Sequence, residues 1–174
     1  YPTQSLHPGW AEQNPEDWYK GTIVSIQQIL KKSKISGDKI AAIGLSGQMH
    51  SSVFLDKHNE LLRKAILWCD TRTKSECEWI MNKVGRKNIA SLVANPALEG
   101  FTAPKIVWLR NNEPKIYNKV EKVLLPKDYI RFRLTGEMCT EVSDAAGTLL
   151  LDVKNRKWSK KMMDILDIPH SFLP

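Results

Sequence analysis

Apolar positions along the chain recur at two spacings, and the switch between them outlines the elements. Trp18, Ile23, Ile26, Ile29 and Leu30, with Gly21 and Thr22 between, follow a mostly helical spacing. Asn14-Pro15-Glu16-Asp17 ahead of them supplies an N-cap, a first-turn proline and two acids at the positive helix end. A helix is therefore predicted from Pro15 to Lys31-Lys32. The run Ile40-Ala41-Ala42-Ile43 then predicts a buried strand reaching Leu45, and Ser52-Val53-Phe54-Leu55 a second short one. Asp56-Lys57-His58-Asn59 is turn chemistry, and Ala65-Ile66-Leu67-Trp68 predicts another buried strand. Thr73-x-x-Glu76 has the form of a capping box opening a helix to Val84, stopped by Gly85. Thr102-Ala103-Pro104 opens a further helix with Ile106, Val107 and Leu109 as its apolar stripe. Lys122-Val123-Leu124-Leu125 predicts a strand cut by Pro126, and Asp128 to Leu134 a helix ended by Gly136. Leu149-Leu150-Leu151 is a short buried run, and Ser159 caps a last helix to Leu166. Strands alternating with helices predict an α/β fold.

Composition narrows the class. The 174 residues suffice for one domain with its own core, at 42 % hydrophobic and 26 % charged. No apolar run approaches the roughly 20 residues that span a bilayer, and Tyr-Pro-Thr-Gln-Ser-Leu-His has neither the basic start nor the apolar stretch of a signal peptide. Neither a membrane partner nor secretion is expected; the setting expected is cytoplasmic. The first residue is not Met, so the chain reads as a piece of something longer. Three cysteines, Cys69, Cys77 and Cys139, form no C-x-x-C pair, and the scattered histidines give no metal-ligand spacing. No metal ligand is assigned. The net charge of +7 raises nucleic acid as a partner. The basic residues are dispersed in small clusters, such as Arg63-Lys64 and Lys160-Lys161, at predicted helix ends and loops. Solvated surface is the favoured reading, with no nucleic-acid partner.

The candidate chemistry lies after the predicted strands, where open α/β folds place their ligands. No glycine-rich phosphate cradle, nucleophile elbow or H-E-x-x-H is present. The first cluster is Gly44-Leu45-Ser46-Gly47-Gln48-Met49-His50. Its glycines allow backbone to approach a small ligand, and His50 can exchange a hydrogen bond with a hydroxyl. The alternative is an idle surface imidazole, with Met49 as core filler. Asp70 and Arg72 come next; a structural ion pair across the loop is at least as good a reading as a substrate contact. Asp128 follows a strand in the same way. Asp144 in Asp144-Ala145-Ala146-Gly147-Thr148 divides evenly between a helix-start acid and a functional group.

These blocks also carry a resemblance. His7-Pro8-Gly9-Trp10-Ala11-Glu12-Gln13-Asn14-Pro15-Glu16-Asp17-Trp18, "GLSGQMH", Ala65-Ile66-Leu67-Trp68-Cys69-Asp70-Thr71-Arg72, Gly100-Phe101-Thr102-Ala103-Pro104-Lys105, Leu124-Leu125-Pro126-Lys127-Asp128-Tyr129 and Ser143-Asp144-Ala145-Ala146-Gly147-Thr148 occur in this order. Together with Leu151-Asp152-Val153 and Arg156-Lys157-Trp158, they resemble segments of the N-terminal domain of the FGGY carbohydrate kinases. The resemblance implies a ribonuclease H-like, actin-type ATPase fold, with residues 1–174 forming most of the sugar-binding domain. It implies transfer of the ATP γ-phosphoryl group, with Mg²⁺, to the terminal hydroxyl of D-xylulose, and a possible homodimer. Met49 and His50 match the family's sugar-contacting Met-His, with Gln48 as neighbour. Its phosphate hairpin, first strands, catalytic aspartate and ATP-binding second domain all fall outside this sequence, so no catalytic residue is assigned within the chain and the isolated chain is expected to be inactive. Ser51 replaces a usual glycine, which is expected to narrow the sugar pocket, and Val93-Ala94-Asn95-Pro96 replaces a Thr-Gly-Asn-like supporting loop. Rival readings are a kinase for ribulose, gluconate or glycerol, and a non-catalytic binding module.

Overall fold

The computed structural model describes residues 1–174. Antiparallel strand pairs form its centre. β1 (Glu12–Gln13) pairs with β3 (Ala65–Ile66), and β2 (Val53–Leu55) pairs with β4 (Lys122–Leu124). A bridge from Ser52 to Ile66 joins the two pairs edge to edge. The period-2 alternation of a strand sends successive side chains to opposite faces. Here both faces are covered. Phe54, Ile66 and Val123 enter the larger core, while Val53, Leu55, Ala65, Leu67 and Leu124 enter the smaller one. A third pair, β5 (Leu151–Asp152) with β6 (Lys157–Trp158), flanks the larger core.

The helices arrange themselves around this ribbon. α1 (Pro15–Ser33) and α6 (Pro126–Thr135) meet on the smaller-core side, where Trp18, Tyr129 and Ile130 are buried. α2 (Lys74–Val84), α3 (Arg86–Val93), α4 (Thr102–Asn112) and α8 (Lys160–Leu166) enclose the larger core. α4 is buried without a break from Thr102 to Leu109, so it is a central helix rather than an amphipathic one. The short α5 (Pro114–Tyr117) and α7 (Val142–Ala146) complete the set. No helix is long and apolar enough to cross a membrane.

Local signals predicted the helix ends well. The Asn14 side chain accepts from the Glu16 N–H, Ser159 Oγ accepts from the Met162 N–H, and Gly136 closes α6 at φ 79°. Four expectations fail. Residues 40–45 form no strand: no other strand pairs with them, and Ile43 stands 58 % exposed. A strand without a neighbour has nowhere to place its N–H and C=O groups. The buried strand expected over Ala65–Trp68 stops at Ile66, and Trp68 stands 50 % exposed. The Thr73 capping box does not form; Thr73 Oγ donates to the Glu99 carbonyl and Glu76 instead accepts from Ser75. Arg63 is not solvated surface either, because its guanidinium is buried between Glu12 and Glu113.

Candidate functional site

The tip of the GQMH segment is strained and tightly held. His50 sits at φ 65°, a left-handed conformation that costs a non-glycine residue about 1–2 kcal/mol. Contacts on several sides secure it. Its ring meets Phe101 edge to face with centroids 4.6 Å apart. Thr102 Oγ donates to the His50 carbonyl at 2.9 Å. A Cβ at Gly147 would overlap the ring's Cδ2 and Nε2, so α7 must end in glycine for the imidazole to lie where it does. A Cβ at Gly100 would come within 2.9 Å of the Trp68 carbonyl and 3.7 Å of His50 Nδ1, so that backbone also packs close.

Beside this tip lies a cleft of about 510 Å³. Gly47, Met49 and His50 form one wall, and Lys127 and Asp144 contribute to the other. Met49 is exposed and His50 half-buried, so the two residues assigned to sugar contact do open onto the same space. Burial, with a smaller push from the Lys105 charge, lowers the His50 pKa to about 4. The imidazole is therefore neutral at physiological pH and can both donate and accept a hydrogen bond. Lys127, Glu141 and Asp144 add charged groups of both signs to the lining, and together with the neutral imidazole and the thioether they offer hydrogen-bond partners to a hydroxyl-rich ligand.

The other assigned residues divide. Gln48 does not face this cleft: its amide donates to Gln13 and its carbonyl accepts from Ser51. Asp144 does line it. Its carboxylate lies 3.0 Å from Lys127 Nζ, which also binds Asp128 at 2.6 Å. Burial raises the pKa of both carboxyl groups. Burial alone would lower Lys127, but the hydrogen bonds and charges of Asp128 and Asp144 outweigh it and raise its pKa. Asp70 and Arg72 lie away from the cleft, in a buried structural network. Arg72 Nε and Nη2 grip the two Asp70 oxygens at 2.9 and 2.7 Å, and the Ala11 N–H donates to Asp70 at 2.6 Å. The same guanidinium stacks 3.7 Å from the Trp10 ring centroid and pairs with Glu12. Of the two readings the sequence left open for this pair, the structural one is observed.

Ser51 does not narrow the cleft, contrary to expectation. It is fully buried, and its hydroxyl accepts from the Trp68 N–H at 2.9 Å. The replaced loop does act as a support: Asn95 donates to the Ala146 carbonyl at 3.3 Å, next to Gly147. Gly44 has open space around it, so close approach does not explain it. Lys127, Phe101, Lys105 and Gly147 were missed as site residues. Lys127 follows a strand and Pro126, the same signal that singled out Asp128, and could have been found by it. No group of three or more His, Cys, Asp or Glu side chains is arranged to hold a metal ion. Asp128 and Asp144 are engaged by Lys127, so the chain's own residues do not fit a resident Mg²⁺.

Residues 1–174 match the N-terminal domain of the FGGY family of carbohydrate kinases. The chain belongs to this family. A xylulose kinase of Lactococcus lactis is 43 % identical over all of this chain, which corresponds to 34 % of that protein. Among solved FGGY structures, one described as a xyloylose kinase from Brucella ovis superposes with TM-score 0.93 at 38 % identity, covering 99 % of this chain and 36 % of its own. A gluconate kinase from Lactobacillus acidophilus gives TM-score 0.87 at 34 % identity, over 100 % of this chain and 35 % of its own. The FGGY chain described here thus spans about a third of the length of these relatives. Its fold is the α/β, ribonuclease H-like architecture of the FGGY sugar kinases, as expected from the sequence.

Proposed function

We propose that residues 1–174 are the greater part of the N-terminal, sugar-binding domain of an ATP-dependent kinase that converts D-xylulose to D-xylulose 5-phosphate. The observation that carries this reading is the Met49-His50 tip: a neutral, tightly packed imidazole and an exposed thioether opening onto one cleft, in a chain 43 % identical to a xylulose kinase. In this role His50 exchanges a hydrogen bond with a sugar hydroxyl and fixes the acceptor's orientation. Orientation is a large part of what phosphoryl transfer needs from a protein. Met49 lies against the carbon skeleton, and the Lys127–Asp144 pair bounds the far side. ATP supplies the phosphoryl group and Mg²⁺ offsets its charge, both through parts of the protein beyond these residues. The residue that takes the hydroxyl proton belongs there too, since Asp70 is locked into a structural pair and Asp128 and Asp144 are held by Lys127.

The gluconate kinase likeness makes one rival specific. A substrate panel on the full-length protein decides between them, with D-xylulose, D-ribulose, gluconate and glycerol as acceptors. D-xylulose is expected to give the highest kcat/KM. Preference for another acceptor by more than about tenfold, or ~1.4 kcal/mol in transition-state binding, would reject the assignment.

A further inference from the structure

The buried lysine of α4 has no part in the scheme above, and its position is costly. Lys105 is fully buried, although an isolated ammonium is among the least favourable groups to take out of water. It forms no salt bridge. Its Nζ donates instead to three successive backbone carbonyls, those of Glu99 at 3.2 Å, Phe101 at 3.1 Å, and Gly100 between them. An ammonium has three donors and no acceptor, so this knot uses its full capacity. An apolar side chain would fill the same space without the desolvation cost. The carbonyls belong to the loop that holds the strained tip: Phe101 stacks on the His50 ring, Gly100 packs between Trp68 and the imidazole, and Thr102 binds the His50 carbonyl.

We propose that Lys105 is a positioning residue for the sugar site: its ammonium fixes the Glu99–Phe101 backbone, and that backbone holds the His50 ring in its left-handed, cleft-facing pose. The inference rests on the sugar-binding role given to His50 above. The charged and titratable groups around Lys105 are Asp70, Cys69 and Arg72 of the β3–α2 connection, Cys77 of α2, and His50 across the loop. Burial pulls Lys105 down to about 7, against the opposing pull of Asp70. The knot therefore loosens around neutral pH as the amine loses its third donor.

Lys105→Met in the full-length protein tests this. The variant is expected to raise the KM for D-xylulose by about tenfold or more while the KM for ATP stays within about twofold. In NMR spectra, the nuclear Overhauser contacts between the His50 and Phe101 rings are expected to weaken. A folded Lys105→Met protein with an unchanged sugar KM, or with unchanged His50–Phe101 ring contacts, overturns the proposal. Should Lys105→Met fail to fold, the wild-type protein answers. Its Gly100 and Phe101 amide signals are expected to shift together with one midpoint near 7, with the His50 ring signals following. Absence of any such coupling overturns the inference. The spectroscopic arm does not depend on kinase activity, so it still reads if the wild-type protein phosphorylates no sugar and only the proposed function fails.

Discussion

His50 shows how one residue's surroundings set its chemistry. Packed by Phe101 and Gly147, it stays neutral in the folded protein down to about pH 4, whereas the unfolded chain takes up its proton near 6.5. Between those values the unfolded state binds the extra proton, so this residue's contribution to stability falls as pH drops from about 6.5 to 4. Asp128 and Asp144 act in the opposite sense. Their folded pKa values are raised by burial, so the folded state binds more protons and gains stability as pH falls through their titration. Comparing wild type with His50→Asn isolates the first effect. The difference in unfolding free energy between them, wild type minus variant, is expected to shrink as pH is lowered from 6.5 to 4 in urea melts. A difference that stays flat over this window would show that His50 is not held neutral. The imidazole was visible in the sequence as a polar group at a strand end. Its strained φ and its glycine neighbour were not, because Gly147 lies nearly a hundred residues away, just after α7.

At the scale of elements, the connection after β3 is held by charge rather than by length. β1 and β3 are each only two residues long. The bidentate Asp70–Arg72 pair, stacked on Trp10 and tied to the Ala11 N–H and Glu12, clamps the β1 segment to the β3–α2 connection. Removing one member of a buried pair leaves the other charge uncompensated, a cost of about 3–5 kcal/mol. Asp70→Ala is expected to lose that much in a chemical-denaturation experiment and to leave the KM for sugar unchanged in whatever fraction is folded. A loss below about 1 kcal/mol, the scale of a surface pair, would contradict the structural role. What could be read from the sequence at this scale follows the range of the forces involved. The caps at Asn14 and Ser159 and the stop at Gly136 are made by residues a few positions apart, and all three were legible. The Thr73 box failed because Thr73 found a better partner in the Glu99 carbonyl, and the tie of the Gln48 amide to Gln13 was not legible because the two residues lie far apart in the chain. The Ile40–Leu45 strand failed for the same reason: strand pairing depends on a neighbour, and apolar spacing alone cannot supply one.

For the whole molecule, the two cores on either side of one antiparallel ribbon carry the GQMH tip, α7 and the Gly100–Phe101 loop to one cleft. Order of motifs in the sequence was enough to identify the family, and several of the blocks that carry the resemblance meet at this cleft or in the buried Trp10–Arg72 network. In the proposed role the cleft binds and orients the acceptor; Asp128 and Asp144 are paired with Lys127, and Asp70, away from the cleft, with Arg72, rather than left free to take a proton. On the function proposed above, the sugar side and the nucleotide side of the reaction fall to different parts of the protein. The most direct measurement is therefore the pair of Michaelis constants for His50→Ala in the full-length protein. The KM for D-xylulose is expected to rise by about tenfold or more with the KM for ATP little changed. A rise in the KM for ATP, with that for D-xylulose unmoved, would contradict the account.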